Sequence, residues 1–340
     1  MDLNNEAEFK KLDPSGVEKA LQMFPDQIRE CWKQAVSSNI PVLSAKSVVV
    51  SGMGGSSNAA KILQGVYEGE LKVPFEVFND YRLPAWVNSE TLVVANSYSG
   101  NTEETLSAIE AANKVGAKVM GVATGGKIGE MVKSGVIPGA VIAPGETNPT
   151  GFPKVGLGVS LGALAGALSK AGVLPITEEE LTKALDELLE IRKGWNAKEI
   201  AEWLNGNLPV LYGGRPLIGA LNAGRNAMCE ISRNFSQFYD FPEVNHVMVE
   251  AVGKPETAKD NMKYLFFVSN FNNSRVLTRY QITTELFSKQ NLDYKNYSLK
   301  GSTKLAQGLE LPHFCAWVGF YISMLQNTDP GPEPWIIKLK

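Results

Sequence analysis

Three aliphatic hydroxyls, Ser97, Ser99 and Thr102, crowd one short stretch together with Gly100 and Asn101. Hydroxyls at that density suit a dianionic phosphate, because each donates a hydrogen bond and a glycine among them allows close approach or a positive φ. An apolar run, Leu92 to Ala95, precedes the cluster, and a segment with an apolar helical stripe follows it. The stretch from Thr91 to Leu106 thus reads as strand, tight turn and helix N-terminus, where unpaired N–H groups and the helix dipole both favour an anion. The pattern GxxxxGK[ST] is absent, so no Walker lysine reaches for a triphosphate. Ser, Asn and Thr also build ordinary caps and turns; the concentration of hydroxyls is what favours phosphate here.

A second glycine turn lies upstream in SVVVSGMGGSSNAAKIL, Ser47 to Leu63. Gly52 and Gly54 fit the start of a dinucleotide fingerprint, but Ser57 stands where the third glycine belongs, and Asp80 falls in a loop-like stretch rather than at a strand end. Gly54, Gly55 and Ser56 are better read as presenting backbone N–H groups to another part of the same small ligand. The chain has two histidines. His246 follows an asparagine in a loop-like stretch, whereas His313 lies amid apolar residues and reads as structural. Two histidines and three scattered cysteines, Cys31, Cys229 and Cys315, leave little for a zinc site or a disulfide framework, and the thiols are expected reduced and buried.

Over 340 residues the net charge is −3 and the pI about 5.7, without long lysine or arginine runs. Nothing here marks a nucleic-acid binder, and a small-molecule partner is expected. The N-terminus, MDLNNEAEFKKLD, is too charged for a signal peptide. In the uncharged run Leu311–Thr328 the apolar part, Phe314 to Leu325, is too short to span a bilayer and reads as a core helix. No membrane association is expected, and a cytoplasmic location is the default.

Behind these residues the elements alternate. Residues 15–35 give two helices broken at Pro25. Strand–turn–helix units recur at Ser47–Leu63, at Thr91–Leu106 and, as strand and turn, at Ala117–Gly126. Such alternation implies a mainly parallel sheet with helices on both faces and ligands beyond the carboxyl ends of the strands. The Pro/Gly-rich stretch Ala143–Gly158 looks like a crossing to a second half, followed by a Gly/Ala-rich helix near 161–171 and the charged helix EEELTKALDELLEIRKGW. NLPVLYGGRPLIGALNAGRNAMCEI and KYLFFVSNFNNSRVLTRYQITTELF then repeat the plan, with GMGGSS parallel to YGGRPL and NSYSGNTEETL parallel to SNFNNSRVLTRY. The expected fold is α/β, with two doubly wound domains, residues 1–153 and 154–340. The second polar turn lacks the hydroxyl cluster, so phosphate is expected in the first half alone.

SGMGGSS and SYSGNTEET resemble the two signature loops of the SIS (sugar isomerase) domain. FPDQIRECW, NDYRLPAWV, FPEVNHVMVEAV and DPGPEPWIIKLK, spread over nearly the whole chain, resemble the bifunctional phosphoglucose/phosphomannose isomerase family. The resemblance implies tandem SIS domains, a homodimer, and interconversion of glucose 6-phosphate with fructose 6-phosphate, with mannose 6-phosphate as a second candidate substrate. It carries phosphate binding onto Ser97, Ser99 and Thr102, and the sugar-facing loop onto Gly54, Gly55 and Ser56. The family's catalytic glutamate aligns with Glu230, its ring-opening histidine, lent by the partner subunit, with His246, and its C-terminal lysine with Lys338. Two positions depart from the pattern. Gly331 stands where a threonine follows Asp-Pro, which bears on mannose activity, and Lys154 stands near an expected arginine but offers a point charge rather than a bidentate fork.

The chemistry accords with these residue types. Isomerisation through an enediol needs a carboxylate within reach of both C1 and C2, and ring opening needs a group that moves a proton near neutral pH, as histidine does. No metal or organic cofactor is implied. Two other functions share the loops: a non-catalytic SIS-type sugar-phosphate regulator, and an amino-sugar phosphate isomerase.

Overall fold

The computed structural model describes residue 3 and residues 5–339. Packing divides the chain into two units, one of Gln22–Leu185 and one of Met1–Leu21 together with Asp186–Lys340. Helices α1 (Glu6–Leu12) and α2 (Val17–Gln22) lead the chain, and Pro25 falls in the first turn of α3 (Phe24–Ser37), a position that needs no N–H donor.

The first unit continues with β1 (Ser47–Ser51), α4 (Gly54–Tyr67), β2 (Phe75–Phe78), β3 (Thr91–Ser97), α5 (Glu103–Lys114), β4 (Lys118–Ala123), α6 (Gly126–Lys133), β5 (Gly139–Val141), α7 (Leu157–Lys170) and α8 (Glu178–Arg192), which runs across the division. Its five strands are all parallel, in the order β2-β1-β3-β4-β5. The central β3 is buried along its whole length, as a strand covered on both faces must be. One face, with Val49, Val93, Ala95 and Val119, packs under Ile109 and Ala112 of α5 and Ile128 of α6. Elsewhere in the unit, α7 lies directly against α3. A Cβ on Gly158 would sit 2.7 Å from the Phe24 carbonyl oxygen, and one on Gly162 2.2 Å from that of Ile28, so glycine spacing sets the helix approach.

The second unit adds α9 (Ala197–Leu204), β6 (Leu208–Gly214), α10 (Ile218–Ile231), β7 (Gln237–Phe241), α11 (Val244–Val247), α12 (Ala258–Asn261), β8 (Met262–Val268), α13 (Ser274–Lys289), β9 (Tyr294–Ser298), α14 (Lys304–Leu325) and α15 (Pro334–Leu339). Its four parallel strands run β7-β6-β8-β9, the order of the first sheet without the edge strand β5. The duplication read from the order of motifs therefore holds at the level of topology. One face is aromatic: Tyr212 stacks on Phe266 at 4.7 Å between centroids and Phe241 on Tyr280 at 4.1 Å, pairs that add to the apolar burial.

Three expectations need correction. The Pro/Gly-rich segment is not a crossing, because the division falls at Leu185–Asp186, α7 stays on α3, and residues 1–21 pack with the second unit. Proline and glycine mark irregular backbone, which can fold back onto its own unit. The apolar helix α14 begins at Lys304, well before Phe314, and carries Pro312 within it. Cys31 and Cys315 are buried free thiols, but Cys229 is half-buried. No helix of the described residues is long and apolar enough to cross a membrane.

Candidate active site

Neighbouring strands β1 and β3 end side by side where the strand order reverses, which is where ligands settle in open parallel sheets. Both glycine turns leave from that edge. The Asn96 amide donates to the Ser56 carbonyl at 2.9 Å, and the Tyr98 N–H donates to Ser56 Oγ at 3.0 Å, so the two turns are joined. A Cβ on Gly52 would stand 2.6 Å from the Asn96 carbonyl oxygen, which is why that contact needs glycine. Gly54 opens α4 with φ +51, Gly55 is half-buried, and Ser56 is buried.

The hydroxyl turn is held from within. Ser97 Oγ and Thr102 Oγ1 are 2.8 Å apart, and Ser97 Oγ also accepts from the Gly100 N–H at 3.0 Å. Between two hydroxyls one hydrogen makes the bond and the other remains. Ser97 is buried and Thr102 is half-exposed, so Thr102 is the one placed to direct its hydrogen outward. Ser99 is exposed and accepts from the Asn101 N–H at 3.2 Å, which leaves its own hydrogen to give. Thr102 stands at the N-cap of α5 without spending its side chain on the cap. Beneath the turn, Gly100 (φ +72) presses on the β4–α6 turn so closely that a Cβ would meet the Gly125 carbonyl oxygen at 1.8 Å. A small open pocket at the same edge is lined by Asn96, Ser97, Tyr98, Thr124 and Ser160, among others.

Asp80, the one acid that a dinucleotide fingerprint could use, is half-exposed and paired with Arg82 at 3.1 Å, an arrangement that holds its carboxyl below the usual range. Lys154 lies in a short 3-10 turn, Pro153–Val155, with its ammonium 5.9 Å from the Phe152 ring centroid.

In the second unit the candidate residues fall on two edges. Strands β6 and β7 are parallel, so α10 must return from the carboxyl to the amino edge of the sheet, and Glu230, the penultimate residue of α10, is half-buried at that amino edge. His246 follows β7 in α11 and is exposed at the carboxyl edge. The structure therefore does not bring the two together within one chain. Close behind Glu230, the Arg233 guanidinium donates to the carbonyls of Asp329 at 3.0 Å and Pro332 at 2.8 Å, which ties the C-terminal segment to this edge. Lys338, on α15, is exposed with its ammonium 4.8 Å from the Trp335 ring centroid. Gly331 fits where a side chain would not: a Cβ would come within 2.6 Å of Ser15 Oγ. His313 is 1% exposed, its Nε2 lies 2.9 Å from the Leu21 carbonyl oxygen, to which it donates in the Nε2-protonated tautomer, and burial pushes its pKa down to about 3. No local sequence pattern marks Arg233, whose left-handed φ of +54 emerges only in the fold, or Asn148, which lies beside the phosphate turn.

Residues 195–340 match the bacterial phospho-glucose isomerase C-terminal SIS domain. The bifunctional phosphoglucose/phosphomannose isomerase of Aquifex aeolicus is 31% identical over 329 residues, covering 95% of this chain and 97% of that one. This chain belongs to the bifunctional phosphoglucose/phosphomannose isomerase family. The family's member from Caldicellulosiruptor bescii is 29% identical over 331 residues, covering 93% of this chain and 96% of its own. Among solved structures, tagatose-6-phosphate ketose/aldose isomerase from Escherichia coli superposes with a TM-score of 0.68 at 14% identity, over 97% of this chain and 96% of that one, a likeness of fold. Membership makes the chain an isomerase with two SIS-type units.

Proposed function

We propose that the chain interconverts glucose 6-phosphate and fructose 6-phosphate through an enediol, as a cytoplasmic step of glycolysis and gluconeogenesis, with mannose 6-phosphate as a further substrate to be tested. The phosphate anchors at Ser97, Ser99, Thr102 and the first turn of α5. Gly54, Gly55 and Ser56 face the sugar. Binding energy at the phosphate orients C1 and C2 for the base, which is how a remote anchor raises the rate of a proton transfer.

Glu230 takes the proton from C2 and returns it to C1, His246 moves the proton that opens the ring, and Lys338 balances charge on the enediolate oxygens. The separation of Glu230 and His246 to opposite sheet edges supports a histidine supplied by the other subunit of a homodimer. The exposed side chains of Trp335, Ile337 and Leu339 on α15, and of Val247 beside His246, are apolar surface that such a dimer would cover. The observation that carries the proposal is the hydroxyl turn, with Ser97 and Thr102 paired, Ser99 exposed and the α5 cap unspent, in a chain of this family.

Formation of fructose 6-phosphate from glucose 6-phosphate and from mannose 6-phosphate, followed in parallel with glucosamine 6-phosphate as a third arm, tests it. Turnover of glucose 6-phosphate is expected. Binding without turnover would point to a sugar-phosphate regulator, and turnover of the amino sugar alone to an amino-sugar isomerase.

A further inference from the structure

Residues 147–155 close on themselves beside the phosphate turn. Gln27 of α3, wholly buried, holds the base of the segment by donating its amide to the carbonyls of Thr147 at 3.0 Å and Val155 at 3.1 Å. Inside, the Thr150 hydroxyl donates to Asn148 Oδ1 at 2.8 Å and accepts from the Phe152 N–H at 3.0 Å. Asn148 is 4% exposed, and its Nδ2 serves two acceptors, the Phe152 carbonyl at 3.1 Å and the Tyr98 hydroxyl at 2.8 Å.

Tyr98 stands between Ser97 and Ser99. Its N–H reaches Ser56 in the glycine turn, and its carbonyl accepts from the N–H and hydroxyl of Thr124 at 3.0 and 2.7 Å. Its ring lies so close to Gly156 that a Cβ there would be 2.7 Å from Tyr98 Cε2, while the Pro153 carbonyl backs onto Gly55. One tyrosine thus touches the glycine turn, the β4–α6 turn and the 147–156 segment, and Asn148 is the side chain that joins the segment to its hydroxyl.

We infer that Asn148 is a positioning residue for the sugar-phosphate site: through the Tyr98 hydroxyl it locks the 147–155 segment onto the turn that grips phosphate, and so holds that turn and the glycine turn in register. This rests on the sugar-phosphate site proposed above. A buried asparagine with both amide atoms engaged is costly to leave half-paired, so the contact is stiff. It acts on binding geometry and not on the proton transfer.

The test uses the full chain with Tyr98→Phe, Asn148→Leu and the double variant. Each single change is expected to raise the KM for fructose 6-phosphate roughly fivefold, the scale of one neutral hydrogen bond, with kcat unchanged. The double variant is expected to be no worse than the worse single one, because both remove the same bond. Amide exchange should accelerate across residues 147–156 in Tyr98→Phe, although the change lies in another segment. An unchanged KM, a fall in kcat alone, multiplying effects or unaltered exchange in Tyr98→Phe would each overturn the inference. If the wild type turns over none of the sugar phosphates, the proposed function falls, while the exchange result still decides the tether.

Discussion

The turn after β3 and the turn after β8 occupy the same place in two sheets of the same order, yet they use their polar groups in opposite ways. After β3, Ser97 and Thr102 pair with each other, Ser99 is exposed, and the α5 cap is left without a side-chain bond. After β8, Ser269, Asn270 and Asn273 bond inside the protein. Ser269 Oγ donates to Gln307 Oε1 at 2.6 Å, Gln307 Nε2 donates to Asn270 Oδ1 at 2.8 Å, and Asn273 Oδ1 accepts from the Arg275 N–H at 2.9 Å. One copy of the turn leaves Ser99 exposed and its helix cap open, while the other commits Ser269, Asn270 and Asn273 to bonds within the protein and buries the Asn272 amide without a partner. Duplication supplies the scaffold, and the destination of the hydroxyls decides which copy binds.

The largest expected effect separates binding from chemistry. If the first unit grips phosphate and the second supplies the base, Glu230→Gln should lower kcat by about 10²–10⁴-fold, the usual worth of a positioned general base. Fructose 6-phosphate binding by calorimetry should stay within a few-fold of wild type. Retained turnover would remove Glu230 from the mechanism.

Acid provides the next contrast, because both histidines lie in the second unit. Burial pushes the pKa of His313 down to about 3 from an ordinary 6.5, so the folded state favours the neutral ring and the unfolded chain binds the extra proton. The stabilisation is complete above pH 6.5 and is lost as pH falls from there toward 3. Glu310, whose carboxyl burial raises, works in the opposite sense, with stability present at low pH and lost as pH rises through its folded pKa. Unfolding free energy of the wild type should therefore decline between pH 6.5 and 4, and His313→Gln should flatten that decline. An equal slope in the variant would mean that other groups carry it.

Matched substitutions in the two turns sharpen the comparison directly. Ser99→Ala should raise the KM for fructose 6-phosphate roughly tenfold or more, since it removes the hydroxyl hydrogen that the turn leaves exposed and a hydrogen bond to a charged group is worth about 1.5–3 kcal/mol. Ser269→Ala should leave KM unchanged but destabilise the fold by about 1–3 kcal/mol, because Gln307 Oε1 loses its buried donor. Crossed results, with binding lost from the second turn, would refute the division of labour.

Much of this was legible in the sequence. The β-branched runs of β1 and β3, their glycine turns and the following helices were read in place, because continuous apolar strands between turn residues admit few other folds. The charged helix α8 was also legible. The short or mixed-polarity strands were not: β7, QFYDF, and β9, YKNYS, have no clean alternation. The placement of Pro/Gly-rich residues 143–158 was misread, since what keeps that segment in the first unit is Gln27, more than a hundred residues upstream, and the glycine ridge of α7. At the site, residue types pointed to the hydroxyls, while the partners that orient them, Tyr98 with Asn148 and Arg233 with the C-terminal carbonyls, depend on long-range contacts that no local pattern encodes. That Glu230 and His246 lie at opposite edges of one sheet follows from the path of α10, which becomes visible once β6 and β7 are known to be parallel.

The smallest effect tests the caps. Thr303 opens α14 and accepts from the Ala306 N–H at 3.0 Å, whereas Thr102 opens α5 with its hydroxyl turned to Ser97. Removing a working N-cap costs about 1 kcal/mol, so Thr303→Ala should lower stability by that amount and leave KM alone. Thr102→Ala should raise KM, and whatever stability it costs comes from the lost Ser97 bond and not from a cap. Denaturant midpoints measured beside KM for the pair of variants give both quantities at once. If Thr102→Ala lost the full cap energy and bound substrate normally, its hydroxyl would be an ordinary cap, and the contrast between the two turns would rest on Ser97 and Ser99 alone.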